Sequence, residues 1–315
     1  MGTRDLYNGV LLLNKPSGIS SHDAVLRLRK ILKQRGIGHT GTLDPLAEGL
    51  LIICLGRATK IAQYISDLDK VYEAEIHLGI RSTTFDAEGA DLSRTPAAVP
   101  DMDDDRLKTL LDKFTGEITQ QVPAFSAVKI DGKPLYTRAR RGEAFDRPER
   151  QVKIFDIELV GFEKPLLTIA VTCSKGTYIR TLADDIGREI GCGAFLSSLR
   201  RTAVGKFKLN EALTLEDVER YVRSNRFESH LLPIENVLDY SAIKITDDFS
   251  RYVINGRYLN RQDVTGFEGR FSAGDRVLLK NSRGAVLAIG IAGVGSDEFE
   301  DLKDNQLFNY IRVLN

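Results

Sequence analysis

The sequence predicts an α/β (α+β) protein in two parts: a larger domain over residues 1–238 built on a mixed, largely antiparallel sheet, and a small β-rich domain over residues 239–315. Three observations predict it. A length of 315 residues suits about two domains. Helical and strand periodicities interleave, yet several links are short and hairpin-like, which favours antiparallel neighbours over long crossovers. From about residue 242 onward, short runs such as RVLLK, AVLAIGIA and YIRVL alternate with glycine-bearing turns.

In chain order, SSHDAVLRLRKILKQ repeats Ala24, Val25, Leu28, Ile31 and Leu32 at helical spacing behind the capping candidates Ser20 and Ser21, with Gly36 as terminator. GLLIICLG, bounded by Gly49 and Gly56, reads as a strand buried on both faces, and RATKIAQYI as a helix. VYEAEIHLG alternates from Val71 to Leu78, which places Tyr72 and Ala74 on one face of a strand. A polar connection through RSTTFDAEG leads to PDMDDDRLKTLLDKF, where acids suited to a helix N-terminus precede the stripe Leu107, Leu110, Leu111 and Phe114. Residues 125–153 form a basic insertion: it holds an Asp131-Gly132 hairpin turn, and eight basic residues outnumber four acidic ones between Lys129 and Lys153. VKIFDIELVGF and LLTIAVTCS read as strands, TYIRTLADDIGREIG as a helix and AFLSSLRRTAVGKFKL as extended chain. The pattern loosens around HLLPIENVLDYSAIKIT, and DEFED reads as a solvated loop.

Composition excludes several classes. Forty-four basic residues balance forty-four acidic ones, so a nucleic-acid partner must be held by a local basic surface. Cys54, Cys173 and Cys192 lie far apart without C-x-x-C spacing, and His22, His39, His77 and His230 show no metal-ligand spacing, so neither a disulfide nor a metal site is expected. No apolar stretch reaches the length of a membrane span and the N-terminus lacks a signal-peptide pattern, which makes the cytosol the simplest compartment.

Gly36, Gly38 and Gly41 in GIGHTGTLDP match the G-x-G-x-x-G spacing of a dinucleotide site. A helix enters this stretch, however, and Pro45 biases Asp44 away from a helical start, so the strand-turn-helix that a pyrophosphate needs is missing. Two readings of Asp44 remain: a catalytic carboxylate on a constrained loop, or an Asx-turn residue bonding its own backbone. In CSKGTYIRTLADD, Tyr178 and Arg180 stand where a helix opens; Arg180 pairs with a carboxylate or is a surface charge. Arg27, Arg29, Lys30, Lys33 and Arg35 on the first helix, and Lys129, Lys133, Arg138 and Arg141 in the insertion, either track a phosphate backbone or form solvated faces. Phe125, Tyr136 and Phe145 either stack on bases or anchor the insertion to the core.

Together the blocks GVLLLNKPSGISSHDAV, GHTGTLDPLAEGLLIICLG, ATKIAQYISDLDKVYEAEIHLG, PAFSAVKIDGKPLYTRARRG and CSKGTYIRTLADDIGREIGCGAFLSSLRRTAVG resemble the TruB family of tRNA pseudouridine synthases over most of the first 235 residues. The tail resembles a PUA-type RNA-binding module more weakly. The resemblance implies a pseudouridine synthase catalytic domain that isomerises the T-loop uridine of tRNA, conventionally position 55, without metal or organic cofactor, acting on the T stem-loop; a monomer is the default expectation, because each chain holds a complete set of the expected site residues. Asp44 then matches the catalytic aspartate, Tyr72 the tyrosine stacking on the target base, and Arg180 the arginine paired with the aspartate. Leu199 matches an apolar pocket wall, Tyr178 a pocket tyrosine and His39 a histidine holding the extruded nucleotides, while Lys15 belongs to an early Lys-Pro motif counted with the substrate site but mainly structural. The alternative is a non-catalytic RNA-binding or tRNA-folding protein.

Overall fold

A computed structural model describes residues 6–93, 95–126, 128–130, 132–143, 145–298 and 307–314. Asp131, the side chains of Lys129 and Lys133, and most of DEFED lie outside the described residues.

The larger part runs β1 (Gly9–Lys15), α1 (Ser21–Leu32), β2 (Ile37–Thr40), β3 (Glu48–Leu55), α2 (Ala62–Ser66), β4 (Lys70–Leu78), α3 (Asp104–Asp112) and β5 (Gly116–Gln121). It continues through β6 (Lys129–Ile130), β7 (Lys133–Pro134), α4 (Leu135–Arg140), β8 (Glu149–Glu163), β9 (Leu166–Cys173), α5 (Ile179–Ile190), β10 (Ala194–Val204), β11 (Phe207–Lys208) and α6 (Leu215–Arg223). The smaller part holds β12 (Ala242–Ile245), α7 (Asp247–Ser250), β13 (Val264–Glu268), β14 (Arg276–Lys280), β15 (Val286–Ala292) and β16 (Phe308–Val313).

The large sheet has the order β1-β3-β10-β4-β9-β8-β5, with β2 on β3 and β11 on β10. It is antiparallel throughout except at β3 and β10, where Glu48 and Gly49 face Arg200 and Arg201 in parallel. That seam requires glycine: Gly49 has φ +99°, and a Cβ there would sit 2.4 Å from the Arg201 carbonyl oxygen. Antiparallel pairing sets Tyr72 of β4 opposite Arg201 of β10, and Ala74 opposite Leu199. Tyr72 and Ala74 thus share the face their alternation predicts.

Helix α1 starts where its side chains cap it. The Asp23 amide donates to Ser20 Oγ at 3.0 Å while Asp23 Oδ2 accepts from the Ser20 amide at 3.1 Å, a capping box. Ala24, Val25, Leu28 and Leu32 then bury one stripe against the sheet. The helix ends earlier than the glycine suggests: Leu32 is its last residue and Lys33 takes the left-handed cap at φ 52°. Gly36 therefore does not terminate it, because the last apolar position of the stripe is spent at Leu32 and Ile37 already pairs with Leu55 in β2. IGHT is accordingly a strand; the turn proper is made by Gly41 at φ +78°, and nothing lies near a Cβ at Gly38. In RATKIAQYI the expected helix is a 3₁₀ turn over Gly56–Ile61 running into α2.

The five-stranded C-terminal sheet has the order β13-β12-β14-β15-β16. Its Leu278, Val286 and Ile289 join Val10, Leu12 and Ile52 of the large sheet in one buried cluster. The opposite face of the large sheet packs on α1, α3 and α5, and the cavity described next opens among β4, β10 and the start of α5.

Candidate active site

The turn carrying Asp44 is held from both sides. Ser21, at the start of α1, accepts from the Leu43 amide at 2.8 Å and donates to the Leu43 carbonyl at 3.0 Å. The Gly18 amide donates to the Pro45 carbonyl at 2.8 Å. Among the described residues the Asp44 carboxylate accepts no hydrogen bond from its own loop, which removes the Asx-turn reading; Oδ2 instead lies 2.9 Å from Arg180 Nε. The Arg180 N–H is directed off that oxygen, so the contact is an ion pair rather than an aligned hydrogen bond.

Arg180, in the first turn of α5, is only 5% exposed at its side chain, whereas Asp44 is 37% exposed and reaches the cavity. Its Nη1 lies 3.3 Å from Asp86 Oδ2 and donates to the Thr84 carbonyl at 3.2 Å, and Nη2 donates to the Phe125 carbonyl at 3.1 Å. Asp86, 7% exposed, has its other oxygen bound by the Thr84 hydroxyl and by the Glu88 amide at 3.1 Å. Phe85 beside it adopts φ 65°, a conformation uncommon for a bulky residue. A guanidinium fixed by Asp86 and two carbonyls cannot follow Asp44 about; it presents a fixed positive partner to the carboxylate.

A cavity of about 610 Å³, within the usual range for ligand pockets, is lined by Asp44, Tyr72, Tyr178, Arg180 and Leu199 together with Asp86, Phe125 and Arg201. Tyr72 is buried, which raises its phenol pKa, and strand pairing sets it opposite Arg201. Burial likewise raises Tyr178, whose backbone is clamped at both ends by Gln120: the Tyr178 amide donates to Oε1 at 2.9 Å and its carbonyl accepts from Nε2 at 3.2 Å. The five residues expected at the reacting centre thus come together.

Lys15 does not join them. Fully buried, it donates to the Pro16 and Ile19 carbonyls at 2.9 and 2.7 Å, bracing the chain that enters α1, in keeping with the mainly structural role expected of the Lys-Pro motif; burial pulls its pKa down to about 8. His39 lies on β2, half-buried, outside the cavity lining, with its pKa held below the usual histidine value by burial. Arg27, Lys30 and Lys33 are exposed along α1, while Arg29 turns inward to the Ile37 carbonyl at 3.0 Å. Arg138 pairs with Glu143 at 3.2 Å and stands over the Phe145 ring; Arg141 lies 3.8 Å from the same glutamate. Among the described residues no cluster of His, Cys, Asp and Glu could hold a metal ion, and no helix is long and apolar enough to cross a membrane.

Residues 29–179 match the TruB family pseudouridylate synthase N-terminal domain, residues 180–239 the tRNA pseudouridylate synthase B C-terminal domain, and residues 241–314 the PUA domain. The tRNA pseudouridine synthase B of Bacillus licheniformis is 42% identical over 290 residues, which cover 90% of this chain and 93% of that protein. This chain belongs to the TruB family. The synthase B of Burkholderia mallei is 41% identical over 93% of this chain and 95% of its own length. Among solved structures, a chain of an H/ACA ribonucleoprotein bound to a substrate RNA containing 2′-deoxyuridine aligns at TM-score 0.75 and 26% identity, covering 98% of this chain and 85% of that one. A Cbf5-Nop10-Gar1 complex gives TM-score 0.75 at 28% identity, with 98% and 85% coverage.

In this TruB-family chain the residues that sequence reasoning missed are supports. Asp86 is one of several acids in a polar connection, which reads as solvated. Gln120 and Arg201 sit in strands whose neighbours are distant in sequence, so no local pattern marks them.

Proposed function

We propose that this chain isomerises the uridine at conventional position 55 in the T loop of tRNA to pseudouridine, with residues 1–238 as the catalytic domain and 239–315 as an RNA-binding module. The observation that carries the reading is the pairing of a cavity-facing Asp44 with a buried arginine, opposite an aromatic and a leucine. Breaking the N1–C1′ bond requires a carboxylate at the sugar, as nucleophile or base, and Arg180 Nε lies 2.9 Å from that of Asp44 as its fixed counter-charge. The freed uracil must be retained yet turn so that C5 meets C1′. Flat contact with Tyr72 and an apolar wall at Leu199 hold it without fixing its orientation by hydrogen bonds.

A base in a folded loop must first be flipped out, at a cost of a few kcal/mol. In an unmodified tRNA transcript, product mapping is expected to find one pseudouridine at position 55 and none when that uridine is replaced by cytidine. Modification elsewhere with position 55 untouched would refute the assignment.

Phosphate contacts from Arg27, Lys30 and Lys33 offset the flipping cost, since the three ammonium and guanidinium groups are exposed along one helix. Their joint replacement by alanine is expected to weaken tRNA binding and to flatten its log-log salt dependence by about one per lost contact. The turnover rate at saturating tRNA should stay within about threefold of wild type, because none of the three lines the cavity. An unchanged salt slope would remove α1 from the interface.

A further inference from the structure

Two cations in the cavity wall are left unexplained by the pairing of Asp44 with Arg180. Lys70, at the start of β4, is 6% exposed, and Arg201, on β10, is 1% exposed; both line the cavity. Lys70 Nζ donates to the Ser66 and Leu68 carbonyls at 2.6 and 2.5 Å. Arg201 donates through Nε to the Leu50 carbonyl at 2.7 Å and through Nη2 to the Gly41 carbonyl at 3.1 Å. Neither has a carboxylate at ion-pair distance among the described residues. Asp67, one of the two acids flanking Lys70, is already bound to Lys175 at 2.6 Å. Burying a cation without a counter-charge costs several kcal/mol, and here two are buried side by side, each opposing the other's charge. Lys70 accordingly falls to about 8, which still leaves it cationic at neutral pH.

The chemistry proposed for the site creates the missing anion. Heterolysis of N1–C1′ leaves the bonding pair on N1, so the uracil departs with one negative charge. On the sugar side Asp44 loses its own charge, either by bonding to C1′ or by taking the C2′ proton. One unit of negative charge therefore moves from the carboxylate, where Arg180 waits, to the base. When C5 bonds to C1′, the carboxylate is released or the C2′ proton is returned, and the C5 proton lost to solvent is balanced by one gained at N1.

Resting on the pseudouridine synthase reading, we infer that Lys70 and Arg201 stabilise the detached uracil anion during the interval between cleavage and rejoining. They lie on the Tyr72 side of the cavity, where Arg201 of β10 pairs with Tyr72 of β4, and they are in place before the charge arrives. Fixed charges in a site shielded from water act strongly and need no reorganisation as the reaction proceeds. Their desolvation is then an investment in the intermediate, where their effect is largest, and not in ground-state binding.

The test compares the wild type with Lys70→Gln, which keeps a donor for the two carbonyls but removes the charge, on two RNAs. One carries uridine at the target position and the other 5-fluorouridine, whose base is the weaker base and leaves more readily as an anion. The readout is the single-turnover disappearance of the target nucleoside after complete digestion. Lys70→Gln is expected to slow the uridine RNA by about 100-fold, a typical loss for one fixed electrostatic group, and the 5-fluorouridine RNA at least about tenfold less, with RNA affinity unchanged. Equal slowing of both RNAs, or none, would overturn the inference, because a merely structural lysine does not sense the leaving group. Arg201→Gln gives the same ratio independently, should Lys70→Gln fail to fold. Conversion of neither RNA by the wild type would instead sink the pseudouridine synthase reading itself.

Discussion

Asp44→Asn is expected to lower the single-turnover rate of uridine isomerisation by about 10⁴-fold or more, as removal of an essential nucleophile or base does. tRNA affinity and thermal stability should hardly change. The reason lies in the charge count around Arg180, which faces two carboxylates, Asp44 and Asp86. Losing the partly exposed one leaves a balanced pair between Arg180 and Asp86, with the hydrogen bonds from Arg180 to the Thr84 and Phe125 carbonyls intact. A large loss of stability in Asp44→Asn would show that the carboxylate is structural.

Arg180→Met should abolish activity as well, but it should also destabilise the protein by about 3–5 kcal/mol, the usual result of removing one partner from a buried ion pair. Here Asp86 stays buried with no cation, and two carbonyl oxygens lose their donor. Urea unfolding of the two variants side by side would therefore separate them, although their activities look alike. If Arg180→Met unfolds at the wild-type midpoint, the arginine is not the anchor that the geometry makes it.

The parts of the fold legible in the sequence are those encoded locally. The capping box at Ser20 and Asp23 and the stripe from Ala24 to Leu32 mark α1, and alternation from Val71 to Leu78 puts Tyr72 and Ala74 on one face. What local patterns do not carry is the sheet order. Strand β10 slots between β3 and β4, so Arg201 reaches the Leu50 carbonyl across 151 positions of sequence. The same distance hides the supports of the site: Asp86 meets Arg180 across 94 residues and Gln120 meets Tyr178 across 58. Boundaries also shift where a non-glycine takes a left-handed cap, as Lys33 does. Asp44, Tyr72, Arg180 and Leu199 were nameable through the family resemblance. Spacing alone left Asp44 open between catalysis and an Asx turn; the contact with Arg180, across 136 positions of sequence, is what no local pattern carries.

The most direct test of the central claim is release of tritium from unmodified tRNA labelled at uracil C5, because forming the C5–C1′ bond expels that hydrogen to solvent. The wild-type protein is expected to release label equivalent to one uridine per tRNA, and Asp44→Asn none. Absence of release from wild type, or equal release from the mutant, would contradict an isomerase built on this carboxylate.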